Sequence, residues 1–142
     1  LNFKNVVYTK DLCGMWAQID ITKNLPFTKM EKNNIVKIQE LLDKKIINRE
    51  VIYNYGLYLS LIGGEILGID SLIYDLSNSL PIYQRKDLNI SYNEICEVLN
   101  LSPSKKIKII ECELIKEVIN GHIKNTSNDL KKYILANKSR WV

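Results

Sequence analysis

Residues 102–121 read SPSKKIKIIECELIKEVING, and their spacing decides the fold class. Ile107, Ile110, Leu114, Ile115, Val118 and Ile119 recur every three to four positions, the signature of one face of an α-helix, and mostly charged residues fill the gaps. Ser102-Pro103 reads as the N-cap and first helical residue, since proline's missing N–H costs nothing there. Gly121 is the expected residue just past the C-terminus, where a left-handed backbone is wanted. Such a helix buries one stripe and needs other helices to cover it.

The neighbouring segments supply them. Before this helix, Ser91 and Glu94 have capping-box spacing and open a short helix with Ile95, Val98 and Leu99 inward, and Asn100 can take the left-handed conformation at its end. After it, a last helix starts near Thr126, with Asp129 in its first turn and Leu130, Tyr133 and Ile134 facing the core. Further upstream, Thr28 and Glu31 form another capping box ahead of Ile35, Ile38, Leu41 and Leu42, and Lys44-Lys45 suit the negative end of the helix dipole. Asn48 caps a second helix with Val51, Ile52, Tyr55, Leu59 and Ile62 as its stripe, and Gly63-Gly64 is expected to be an interhelical turn. Ile66, Ile69, Leu72, Ile73 and Leu76 make a third, ended by Ser77-Asn78-Ser79 and Pro81. The first 27 residues are irregular by pattern, with Trp16, Ile19, Ile21 and Phe27 expected to pack down. No alternating strand pattern competes, so the expected fold is all-α, a bundle of roughly six helices.

The chain has 142 residues, 46% hydrophobic and 25% charged, enough for one domain or two small helical subdomains. At this length folding hides roughly 68–70% of the unfolded surface, so a core needs neither disulfide nor metal. No stretch approaches the ~20 uninterrupted apolar residues of a membrane helix; the most apolar neighbourhood, Leu57 to Leu67, is broken by Gly63, Gly64 and Glu65. The N-terminal residues lack the cationic and apolar regions of a secretory leader. Cys13, Cys96 and Cys112 are widely spaced, and with the single His122 they form no zinc-ligand set. A reducing, cytoplasmic setting is expected, with Cys96 and Cys112 acting as small apolar residues. Tyr53, Tyr55, Tyr58 and Tyr74 sit at helical spacing, a pattern that favours core packing over base stacking.

Charge divides the chain. Residues 1–79 carry nine Lys/Arg and nine Asp/Glu, whereas residues 80–142 carry eleven and seven, so the whole net charge of +4 lies in the second part. Two parts are therefore expected, a neutral helical body over 1–79 and a basic helical tail over 80–142. Such an excess suits phosphate binding, and lysine-rich solvated helices give the same count.

The tail resembles a known family. Asp87-Leu88-Asn89-Ile90-Ser91-Tyr92-Asn93-Glu94-Ile95, then Asn100-Leu101-Ser102-Pro103, then Val118-Ile119-Asn120-Gly121-His122-Ile123-Lys124-Asn125 resembles the C-terminal region of bacterial CCA-adding tRNA nucleotidyltransferases and their poly(A) polymerase relatives. That family has D-L-x-I-S-G-x-D-I, a G-x-x-P-G-P turn and V-x-x-G-x-x-x-N in this order. The lead-in Leu80-Pro81-Ile82 and Arg85-Lys86 also agrees, and the match covers residues 80–135, with only a helical pattern shared by 28–79. Tyr92, Asn100, Ser104, Lys105 and Lys108 stand where the family tends to have Gly, Gly, Gly, Pro and Gly, which exchanges close backbone approach for added cations.

The resemblance implies a tail that grips the elbow and backbone of tRNA by shape and phosphates. The catalytic head of the same parent chain would then add nucleotides to the 3′ end using Mg²⁺ and CTP or ATP. The cations for that grip are Arg85, Lys86, Lys105, Lys106, Lys108 and Lys124. The family's metal-holding Asp-x-Asp does not occur in these residues, and Glu111-Cys112-Glu113 is helical, where positions two apart do not share a face. The chain, which begins without methionine, is thus expected to be a non-catalytic C-terminal piece with no cofactor of its own. Two other readings fit the residues. Ser91 to Ile110 has the outline of a helix-turn-helix DNA-binding module, with Lys106 where that motif wants an apolar residue. A helical protein-interaction domain uses the same fold.

Overall fold

A computed structural model describes residues 6–19 and 25–142, and the chain divides into two compact units, Leu1–Ser79 and Leu80–Val142. Ile21 lies outside the described residues. The fold is all-α. There are eight α-helices rather than roughly six, and no strand, among the described residues. None of these helices is long and apolar enough to cross a membrane.

The first unit holds α1 (Leu12–Ala17), α2 (Lys29–Lys44), α3 (Arg49–Tyr55), α4 (Leu57–Leu67) and α5 (Asp70–Asn78). The segment expected to be irregular contains α1, a helix too short to show a period, started by Asp11, whose carboxylate accepts the Cys13 N–H at 2.8 Å. Trp16 meets Phe27 edge-on, with ring centroids 5.4 Å apart. The Thr28 capping box forms in both directions, and Lys45 ends α2 in the left-handed region. Asn48 caps α3 through the Val51 N–H.

The expected turn at Gly63-Gly64 is instead helix interior. The chain breaks at Gly56, whose φ of +86° ends α3 and begins α4, and α4 runs on to Gly68. Gly63 and Gly64 are buried. A Cβ on Gly64 would overlap the Ile73 side chain and come within 3.2 Å of the Asp70 Cα, so this glycine lets α5 approach α4 closely. Ile66 therefore belongs to α4 and Ile69 is the N-cap of α5. Leu72, Tyr58 and Tyr74, expected inside, are exposed. The core of this unit is Ile35, Ile38, Leu41, Ile52, Leu59, Ile62 and Ile73.

The second unit holds α6 (Tyr92–Leu99), α7 (Lys105–Ile119) and α8 (Ser127–Ala136), preceded by a 3₁₀ turn at Arg85–Asp87 and followed by another at Lys138–Arg140. Leu88, Ile90, Ile95, Leu99, Ile107, Ile110, Leu114, Val118, Ile119, Leu130 and Ile134 form its core, while Val98, Ile115 and Tyr133 are only half-buried. Cys96 is buried, but Cys112, expected to pack as an apolar residue, faces water, since α7's buried positions 107, 110, 114 and 118 lie on the opposite side.

Candidate nucleic-acid interface

The turn into α7 sets the geometry. Asn100 takes φ +53° and the Leu101 N–H donates to the Cys96 carbonyl at 3.0 Å, a Schellman-type end that turns the chain sharply. Helix α7 then begins two residues later than Ser102-Pro103 suggests: Ser104 is the N-cap, in an extended conformation and without a side-chain cap. Tyr92 at the start of α6 donates its hydroxyl hydrogen to the Ser104 carbonyl at 3.1 Å and ties the two helix starts together.

Lys105 and Lys108 are one helical turn apart on the exposed ridge of α7, which continues through Ile109 and Cys112. No acid sits in the first turn of α7, in contrast to α2, α3, α5, α6 and α8. Lys106 points elsewhere, with Nζ 3.5 Å from the Trp141 carbonyl oxygen. That C-terminal turn is held by Arg140, which lies over the Trp141 ring at 5.2 Å and pairs with Glu113. The Glu113 carboxylate holds the Arg140 guanidinium in its charged form, pushing its pKa up.

A second group of cations gathers at the loop before α6. Asp87 accepts the backbone N–H groups of Tyr83 at 3.0 Å and Gln84 at 3.2 Å, closing the 3₁₀ turn. Asn125 then staples this loop to the segment before α8. Its Nδ2 donates to the Asp87 carbonyl at 2.7 Å, its Oδ1 accepts the Asn89 N–H at 2.8 Å, and Asn89 Nδ2 donates to the Asn125 carbonyl at 2.6 Å. Lys86 and Lys124 are the chain neighbours of the stapled residues Asp87 and Asn125, and both are exposed.

Arg85 departs from its expected role. Its guanidinium turns inward, donating to Glu111 Oε1 at 2.5 Å and to the Ile90 carbonyl at 3.0 Å, so it spans from the loop to α7 as a strut. Glu111 and Glu113 thus serve different arginines on different sides of α7. Three of the remaining four acids are also engaged, Glu94 facing Lys131 at 3.9 Å, Glu117 bonding His122 at 2.7 Å and Asp129 accepting from Thr126, while Glu97 is exposed. Among the described residues, none of Lys86, Lys105, Lys106, Lys108 and Lys124 has an acidic partner within ion-pair distance.

Neither the Arg85–Glu111 pair nor the Asn89–Asn125 staple is visible in the sequence, since their members lie 26 and 36 residues apart and no local spacing joins them. Among the described residues no group of three or more His, Cys, Asp or Glu side chains could hold a metal ion. Compared with known proteins, the chain matches no family model and no curated sequence.

Proposed function

We propose that residues 80–142 grip structured RNA, as the tRNA-binding tail of a nucleotidyltransferase of the CCA-adding and poly(A) polymerase type, with residues 1–79 as its helical body. The observation that carries the reading is the unneutralised charge on Lys86, Lys105, Lys108 and Lys124, in a unit whose acids are mostly engaged by other partners. Exposed lysines reach the phosphates of an A-form helix, whose shallow minor groove offers shape rather than a base code. The N–H groups at the start of α7 add a partial positive charge beside Lys105 and Lys108. Arg85 holds the loop that carries Lys86 and is withdrawn from the list of phosphate contacts. Nucleotide addition, with its Mg²⁺ and CTP or ATP, belongs in this reading to the head of the parent chain, and no step of it is assigned to these residues.

The test is tRNA binding as a function of salt. Four lysine contacts give a slope of log affinity against log salt near about −3. Replacing Lys105 and Lys108 together by Gln shallows it by about 1.5. Duplex DNA of equal length competes poorly. A slope near zero, or no tRNA binding at low salt, overturns the reading, and preferential competition by DNA replaces it with helix-turn-helix recognition.

A further inference from the structure

The neutral first unit carries a cleft of about 560 Å³ that the RNA reading does not use, opening between residues 8–11, α4 and the first turns of α5. Its size is ordinary for a small-molecule or side-chain site. Its walls are unusual in two respects. Three tyrosines line it, and all are left in water: Tyr8 is 84% exposed, Tyr58 59% and Tyr74 53%. Its charged groups are Asp11, Glu65 and Asp70 against the single ammonium of Lys10, so the cleft is net anionic in a unit of zero net charge.

The carboxylates differ in what remains of their bonding capacity. Asp11 is partly engaged, one oxygen accepting from the Cys13 N–H and the other from the Tyr58 hydroxyl. That second bond fixes the Tyr58 ring beside the opening. Glu65 uses Oε2 for the Lys10 N–H at 3.3 Å and keeps Oε1 free. Asp70, on the first turn of α5, has no hydrogen-bond or ion-pair partner among the described residues. Free acceptors beside exposed tyrosine rings repel phosphate and attract a flat or alkylated cation, which gains from the ring quadrupoles and from the carboxylates together.

We propose that this cleft receives a guanidinium or alkylammonium group, stacked on Tyr58 and Tyr74 and hydrogen-bonded to Glu65 and Asp70. The proposal is independent of the RNA reading, because it concerns residues of the other unit and a ligand of opposite charge.

The test titrates the full chain with N-acetyl-arginine amide and with the neutral N-acetyl-citrulline amide of the same shape, following backbone amide shifts. The arginine compound is expected to shift the amides of Glu65, Asp70 and Tyr74, and to bind at least about tenfold more tightly than the citrulline compound. Glu65→Gln with Asp70→Asn lowers the arginine affinity about tenfold or more, and Tyr74→Leu lowers it about two- to fivefold. Agmatine binding as tightly as the amide identifies a free small cation as the ligand type, and tighter binding of a Gly-Arg-Gly peptide identifies a protein side chain. Equal binding of citrulline and arginine, an unchanged affinity in the double variant, or no shifts up to roughly 20 mM arginine amide overturns the proposal. If the double variant does not fold, the citrulline comparison on the unaltered protein decides.

Discussion

Replacing Asn125 by Ala tests whether the staple, rather than the helices alone, holds the cationic loop in place. The change deletes two hydrogen bonds at 2.7 and 2.8 Å, to the Asp87 carbonyl and from the Asn89 N–H. At about 0.5–1.5 kcal/mol each, the loss is about 2 kcal/mol. A 63-residue unit has only about 3–9 kcal/mol of stability, so this is a large share. With a urea dependence of about 1 kcal/mol per molar, the midpoint of the second unit falls by about 2 M. The chain supplies its own reporters, since Trp16 lies in the first unit and Trp141 in the second. Fluorescence in a Trp16→Phe background follows Trp141, and the reverse substitution follows Trp16. Asn89→Ala, which loses only the bond from its Nδ2 at 2.6 Å, is expected to cost about half as much. A Trp141 midpoint displaced by less than about 0.3 M, or a Trp16 midpoint that moves equally, refutes the reasoning.

Four further outcomes are expected. Gly64→Ala forces a Cβ into Ile73 and toward the Asp70 backbone, costing about 1–2 kcal/mol net of alanine's better helix propensity, whereas Gly63→Ala, with nearest contacts at 3.4–3.5 Å, leaves the Trp16 midpoint unchanged or raised. Iodoacetamide at pH 8 labels exposed Cys112 first, as mass spectrometry of digests reads out, while Cys13, pushed up to about 11 by burial and then by its hydrogen bond to Asp11, stays unmodified. Because that thiol's folded pKa lies above its ordinary 9.0, its contribution to stability is full below pH 9 and disappears as the pH rises through 11, a slope that Cys13→Ala flattens in thermal melts. Arg85→Met removes a strut and not a phosphate contact, so it lowers the Trp141 midpoint by about 1–2 M urea and leaves the salt slope of tRNA binding unchanged.

Where side chains bond to backbone within a few residues, the sequence was legible. Thr28, Asn48, Ser91 and Thr126 all cap the helices their spacing predicts, and Asn100 and Gly121 both take positive φ. The failures have a common cause in tertiary packing. Gly63-Gly64 looks like a turn because glycine weakens helices, but the close approach of α5 outweighs that local cost. Tyr58 has the spacing of a core stripe, yet α4 is apolar nearly all round and its period does not say which side is covered. Charge is legible as a sum over residues 80–142 but not as a distribution, since only distant partners reveal that Arg85 and Arg140 are paired with acids and that Lys86, Lys105, Lys108 and Lys124 are not.

The positions at which the tail departs from the family proposed for it follow from the same partition. Ser104 is extended, with φ −159°, and Tyr92 and Lys108 carry no positive φ, so none of the three needs glycine for its backbone. Only Asn100 occupies the left-handed region, and asparagine tolerates it. A glycine at the other positions would serve a ligand that touches the backbone. Tyr92 closes that route by bonding the Ser104 carbonyl, while Lys105 and Lys108 extend flexible ammonium groups from the same helix start. The recognition surface proposed here therefore acts through charge at side-chain length, which salt weakens steeply, rather than through close contact, which it does not. Restoring Gly at 92 and 104 in place of Tyr and Ser is expected to leave the salt slope unaltered, whereas Lys105→Gln with Lys108→Gln shallows it. A slope that responded to the glycines and ignored the lysines would place the contact on the backbone instead.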